Sequence, residues 1–400
     1  MTRIPPLAQE LLDYILDFLH DDHRTLRICA LVSKCFLDAS RHHLFETTAA
    51  KGRPYADKFE QFRYFIQNGQ SAKYIRRLVL NSGTSIIQRN LSFHLSLDVL
   101  EEIVVCLPFL RSVGLSHFQF VCPKDFSITS VAALGCDVSL SQCIFGEDIF
   151  TTLPGLLQIL SATSLYISTI RLLYGTPMEA LYQHLPTKHS MTTANARIYK
   201  VERGFGVSPE IMRILGLVMP ENTIVDLKLR ARSFNDAIEV TCLGVLIAKH
   251  ASSLRSLQFI PGDWRGLRVS TGYIPWSLLN LSSLCNLNSL YLEINHNLPQ
   301  VSHDAAWELY LAFIALLPQS MEHIDIKICM VSHGPITYPV PAPTGAIQQL
   351  RYNFPNLKTL KLYWHLSKED GEAYAEEVVR QMKALLPEFD RQGILQCSYS

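Results

Sequence analysis

The side chains that could do chemistry are scattered along the chain. His20 and His23 flank Asp21 and Asp22, and imidazoles with carboxylates are a common donor set for a divalent metal. The four fall between two apolar stretches, where an aspartate caps a helix start and the imidazoles face water, and that is the simpler account. His42-His43 reads as a polar helix end, and Gly204-Phe205-Gly206 as a turn. The sequence holds no G-x-S-x-G, G-x-x-x-x-G-K-[ST], H-E-x-x-H or G-x-G-x-x-G, so no nucleophile elbow, phosphate loop or zinc-protease helix is encoded in familiar form. Ten cysteines, at 29, 35, 106, 122, 136, 143, 242, 285, 329 and 397, show no CxxC pair and match the reduced, mostly buried thiols of cytosol or nucleus. No catalytic residue, no metal and no cofactor is expected from these patterns.

The elements that carry information lie at the N-terminus. Leu11, Leu12, Ile15, Leu16 and Leu19 share one side of a 3.6-residue helix, with Asp13 and Asp17 turned away. Pro5 and Pro6 precede that helix, and Glu10 meets its positive dipole end. Asp21 and Asp22 stop it and cap a second helix over about Thr25 to Val32, with Leu26, Cys29, Ala30 and Val32 turned inward. Ser33 caps a third beginning at Lys34.

The run Leu7-Ala8-Gln9-Glu10-Leu11-Leu12, then Ile15, Leu19 and Leu26, then Val32-Ser33-Lys34-Cys35-Phe36, resembles the F-box. Ala8 stands where that family usually has Pro, Ser33 where it often has Cys, and Phe36 where it often has Trp. The continuation Ser40-Arg41-His42-His43-Leu44-Phe45 is similar to the segment after the motif in many fungal F-box proteins. The match covers about a tenth of the chain. It implies docking on the Skp-type adaptor of a cullin-RING ubiquitin ligase through Leu7, Ala8, Leu11, Leu12, Ile15, Leu16, Leu19, Leu26, Val32 and Phe36, as core or as adaptor face. A module of about forty residues buries too little surface to stand alone, which is a physical reason for a partner. About five large apolar side chains buried there would each contribute roughly 1.5 to 3 kcal/mol before association costs. The plain alternative is two amphipathic helices packed on the rest of the protein.

Composition sets outer bounds. With 48% hydrophobic and 18% charged residues, the 400-residue chain has enough apolar content for a continuous core. The 36 basic and 36 acidic residues cancel, so no general attraction toward nucleic acid or an anionic membrane is expected. The N-terminus lacks the pattern of a signal peptide, and no apolar run approaches the roughly 20 residues that span a bilayer. A chain of the cytoplasm or nucleus is expected.

Beyond residue 74 a pattern recurs, apolar-x-x-apolar-x-apolar: Ile75, Leu78, Leu80; Leu110, Val113, Leu115; Ile224, Leu227, Leu229; Leu254, Leu257, Phe259; Leu287, Leu290, Leu292; Met321, Ile324, Ile326; Leu357, Leu360, Leu362. Weaker copies fall near 138–140, 165–167 and 198–201. Central residues of the last five clear copies are 30, 33, 34 and 36 residues apart. Helical patterns at Leu95–Leu107, Pro209–Met219, Phe234–His250, His303–Leu317 and Lys368–Leu386 separate the copies, with Pro108, Pro220, Pro318 and Pro387 as stop signals. Strand and returning helix in alternation predict parallel neighbours, and the array resembles a leucine-rich-repeat solenoid with degenerate spacing. The fold class expected is therefore α/β: a three-helix F-box over 1–48, a connecting segment over 49–73 and a leucine-rich-repeat-like domain over 74–400. The competing fold is an ordinary α/β sheet covered on both faces, which does not require the pattern to recur seven times.

In such an array the alternate strand positions face outward. Arg230, Gln258, Tyr291, Glu293, His323, Lys327, Lys361 and Tyr363 are the candidate target-binding residues, with Trp364 on the neighbouring rim. Pro335–Pro343 predicts a stiff extended loop. The function implied is substrate recognition by a non-catalytic subunit of an SCF-type ligase. The alternatives are a repeat scaffold, or an adaptor-bound protein, acting outside ubiquitination, and a hydrolase whose cleft would have to bring titratable groups together.

Overall fold

The structure is a computed structural model that describes residues 8–52, 58–83, 93–124, 126–132, 134–146, 148–173, 198–204, 207–231, 237–261, 276–295, 312–329, 352–365 and 372–399. The chain is α/β and divides into two compact units, Met1–Tyr166 with Ile170–Arg197, and Ile167–Thr169 with Ile198–Ser400.

The first unit opens with three helices, α1 (Gln9–Asp17), α2 (His23–Val32) and α3 (Lys34–Glu46). Their starts follow local chemistry. Asp22 accepts the Thr25 amide through its side chain and Ser33 accepts that of Cys35, each satisfying an amide that the first turn leaves without a partner. His20 and His23 thus lie beside a capping aspartate, in the arrangement their sequence context implied.

Helix α3 runs directly into β1 (Thr47–Lys51), which begins a parallel sheet with β2 (Arg77–Asn81), β4 (Ser112–Ser116), β6 (Cys136–Ser141) and β8 (Ala162–Ser168) in that order. The sheet's first strand therefore spans residue 48, the boundary expected between module and connector. Between these strands lie α4 (Lys58–Asn68), α5 (Leu97–Val105) and α6 (Ile149–Ile159). A second, narrower parallel sheet joins β3 (Phe93–Ser96), β5 (Phe118–Val121), β7 (Ile144–Phe145) and β9 (Arg171–Leu172). Leu95, read from the sequence as helical, belongs to β3, and α5 starts two residues later.

The two sheets alternate along the chain through one recurring turn. His117, Gln142 and Thr169 follow β4, β6 and β8, and all three have positive φ, at 63°, 53° and 53°. A side chain there costs about 1–2 kcal/mol, most at the β-branched Thr169. The turn delivers Phe118, Phe120 and Phe145 inward, where Phe120 and Phe145 stack with ring centroids 5.0 Å apart.

The second unit repeats one plan. Strands β10 (Lys200–Arg203), β11 (Asp226–Ala231), β12 (Ser256–Pro261), β13 (Ser289–Asn295), β14 (His323–Cys329), β15 (Thr359–His365) and β16 (Leu395–Tyr399) are parallel and lie in chain order. Helices α7 (Pro209–Val218) and α8 (Ala237–Lys249) return the chain between the first three, while α9 (Glu372–Leu385) and α10 (Pro387–Arg391) precede β16. Pro387 both closes α9 and occupies the first position of α10, where its missing N–H is harmless. Most of the expected helix His303–Leu317 and the whole of Pro335–Pro343 lie outside the described residues.

All twenty-one apolar residues of the seven clear repeat copies are buried, from Ile75, Leu78 and Leu80 through Leu357, Leu360 and Leu362. Each strand presents two of them to the core at alternate positions, as a period of two requires. The three weaker copies are strands as well, β6, β8 and β10, with Val138, Leu140, Leu165, Ile167, Ile198 and Val201 buried. Phe259 stacks on Phe313 at 4.9 Å, and Trp276 meets both rings edge-on. Gly244 in α8 lies so close to the turn at Leu278 that a Cβ would stand 2.0 Å from the Leu278 carbonyl oxygen.

Candidate docking surfaces

The three-helix module separates the residues that the sequence grouped together. Leu16 and Leu26 are its core, at 1% and 0% exposure. Leu12, Leu19 and Phe36 are half-buried, as are Cys29 and Ala30. Ala8, Leu11, Ile15 and Val32 are exposed, so Val32 points outward although the periodicity of the second helix turned it in. Leu7 lies outside the described residues. The cause is the course of α3: it packs against both α1 and α2, and only the sides facing it are covered.

What remains uncovered is larger than the sequence indicated. Tyr14 and Phe18 join Leu11 and Ile15 on α1, at the i, i+3, i+4, i+7 spacing of a single helix side, and their rings meet edge-on at 4.9 Å. On α2, Ile28 and Leu31 join Val32. Phe18 is 70% exposed and Leu31 87%. Among the described residues, 18 large apolar side chains are exposed, and seven of these fall within residues 11–32, a concentration that isolated surface leucines do not produce.

Polar contacts hold this module together without using the apolar sides. Gln9 donates to Asp13 and, at 2.8 Å, to the Cys35 carbonyl oxygen, joining the start of α1 to α3. His43 Nε2 lies 2.9 Å from Asp17 Oδ1, joining the end of α1 to α3. Tyr74 bonds Asp38 and so ties α3 to the segment before β2.

The second surface is the outward side of the strands in the second unit. Parallel registration sets Gln258, Tyr291, Asp325 and Lys361 side by side in one row, Glu293, Lys327 and Tyr363 in the next, and His323 beside Thr359 in a third. Neighbours in a row are about 4.8 Å apart, so eight of the nine residues picked from sequence do share one sheet side. Arg230 stands at the start of that side on β11, while the Trp364 side chain lies outside the described ones.

Several charges on this side are matched internally. Lys228 Nζ lies 2.9 Å from Glu202, Lys327 4.0 Å from Glu293 and Lys361 3.8 Å from Asp325. Arg230 Nε is 3.9 Å from Glu202, and Tyr291 donates to Glu293 at 3.3 Å. His323 Nδ1 lies 2.8 Å from Thr359 Oγ1. A charged ligand would have to compete with partners already in place, whereas the middle positions Ser256, Gln258 and Ser289 carry no charge.

Burial shifts three titratable groups of the core strongly. Burial pushes the thiols of Cys136 and Cys143 up to about 12, and each Sγ points at a backbone carbonyl of the preceding strand segment, Leu110 and Leu115. His250, at the end of α8, is held down to about 4 by burial and then by Lys249. Among the described residues, no helix is long and apolar enough to cross a membrane. No family model matches the chain, and no curated protein sequence is significantly similar to it.

Proposed function

We propose that this protein is a substrate receptor of an SCF-type ubiquitin ligase, with α1–α3 as an F-box docked on a Skp-type adaptor. The observation that carries the reading is the exposed apolar side of α1 and α2, Leu11, Tyr14, Ile15, Phe18, Ile28, Leu31 and Val32, on a module whose own core is little more than Leu16 and Leu26. Covering four or five of these side chains would contribute roughly 1.5 to 3 kcal/mol each before association and ordering costs, the scale of a stable complex. The parallel strands in chain order then form a leucine-rich-repeat-like array, and its outward rows from Arg230 to Tyr363 hold a target protein. The mechanism is positional: the receptor raises the local concentration of a target lysine at the ligase, and the chain itself performs no bond-making step. The setting is cytoplasm or nucleus, where cullin ligases act.

The test is binding of purified Skp-type adaptor to the full chain and to a Leu11→Asp, Ile15→Asp variant. Both substitutions are at exposed positions, so circular dichroism should be unchanged. Tight binding that the variant loses supports the reading. A folded wild-type chain that does not bind the adaptor sends the function to a repeat scaffold working outside ubiquitination.

A further inference from the structure

The end of α3 gathers three metal-type donors that neither docking surface uses. His42, His43 and Glu46 each place one donor atom within 4.8 Å of the other two. Their helical spacing explains it: Glu46 lies four residues after His42 and three after His43, the two intervals that bring side chains together on one helix side. His42 and His43 are half-buried and Glu46 is exposed, so an ion can reach the cluster from solvent.

A fourth group strengthens the case. Asp17, from the end of α1, lies 2.9 Å from His43 Nε2. If His43 ligates through Nδ1, Asp17 accepts the remaining Nε2–H, the carboxylate partner that orients and strengthens metal-bound imidazoles. If it ligates through Nε2, that contact is given up and Asp17 remains an acidic neighbour outside the three donors that lie within 4.8 Å of one another. We infer that His42, His43 and Glu46, supported by Asp17, form a site for a divalent zinc-type ion. Two imidazoles and a carboxylate are a donor set for such an ion, and bond lengths of 2.0–2.2 Å set ligand atoms about 3.4 Å apart, reachable by rotamer adjustment from the spacing observed.

One neighbour opposes the ion. Arg76 Nε lies 3.4 Å from His42 Nε2, with its guanidinium over the Phe109 ring. Ligation through either nitrogen of His42 disturbs that bond and sets a cation beside a cation, so affinity is limited by Arg76. The ion would link the end of α1 to the point where α3 passes into β1, stiffening the base of the three-helix module. This holds whether or not the module docks on an adaptor.

The experiment is titration of zinc chloride into the chelator-treated full chain by calorimetry, with cobalt(II) absorption to identify the donors. The expected result is one saturable ion and a cobalt spectrum without a thiolate charge-transfer band, which separates this site from the exposed thiols of Cys35 and Cys285. His43→Ala and Glu46→Gln should weaken binding at least about tenfold, and Asp17→Asn by about 10- to 100-fold. Arg76→Gln should tighten it severalfold. Should His43→Ala fail to fold, the opposite shifts of Glu46→Gln and Arg76→Gln still decide. A folded wild-type chain that binds no zinc, a thiolate band, or an affinity that Glu46→Gln and Arg76→Gln leave unchanged would overturn the site.

Discussion

Acid should destabilise the second unit through one buried histidine. His250 is 1% exposed and uses Nδ1 to accept the amides of Thr223 at 3.2 Å and Ile224 at 3.4 Å, which lead into β11. The proton of the neutral ring therefore sits on Nε2, which has no hydrogen-bond partner among the described residues. Protonating Nδ1 would turn an acceptor toward two donors and place a charge in the core, and burial, then Lys249, hold the group at about 4 against an ordinary value of 6.5. Because the folded value lies below the unfolded one, the unfolded chain binds the proton first as pH falls. Stability is thus full above about pH 6.5 and is lost between about 6.5 and 4, by about 3 kcal/mol in all and about 2 kcal/mol between pH 7 and pH 5. The assay is urea unfolding followed by tryptophan fluorescence, since the four tryptophans, 264, 276, 307 and 364, all lie in residues 198–400. His250→Gln keeps an acceptor and removes the titration, so it should be weaker than wild type at pH 7 yet lose about 2 kcal/mol less on moving to pH 5. Parallel losses in the two proteins would refute the reasoning.

Three further outcomes are expected. Leu26→Ala should destabilise the three-helix module by about 2–5 kcal/mol, whereas Leu31→Ala should change its melting by less than about 0.5 kcal/mol while weakening adaptor binding, a contrast readable by thermal denaturation beside the binding assay. Gly244→Ala should cost about 1–3 kcal/mol or more, measured by urea unfolding, because the added methyl meets backbone at Leu278 and not a side chain that can turn away. Alkylation at pH 8 followed by peptide mass spectrometry should modify Cys35 and Cys285 in the native protein and spare Cys136 and Cys143 until it is unfolded, since the buried pair has its thiols pushed up to about 12.

Legibility varies with the range of the interaction. Helix α3 begins at Lys34 after Ser33, as the residues themselves predict, because capping is settled within three or four positions. Helix α6 is not predicted by the residue pattern, and Pro154 and Gly155 in its middle are the reason: both are poor helix formers, and the surrounding core, with Leu153, Leu156 and Leu157 buried, overrides them. Helix α4 falls inside the expected connecting segment, although Phe59, Phe62 and Ile66 recur at helical spacing. The second sheet has no usable signal, since β7 and β9 are two residues each and owe their existence to the turns at Gln142 and Thr169. The cluster of His42, His43 and Glu46 is legible only as a polar end, because Asp17 and Arg76, which give it meaning, are far away in sequence.

The sequence by itself determined the alternation of inward and outward residues, because strand and helix periods depend on backbone geometry alone: hence the buried apolar residues of every clear repeat copy and the parallel order of their strands. Only the tertiary structure decided which apolar residues of the first module are core and which are surface. A helix period places Leu11, Ile15 and Leu16 on one broad side, but α3 covers just part of it, and the line between Leu16 inside and Leu11 with Ile15 outside is set by where that third helix crosses.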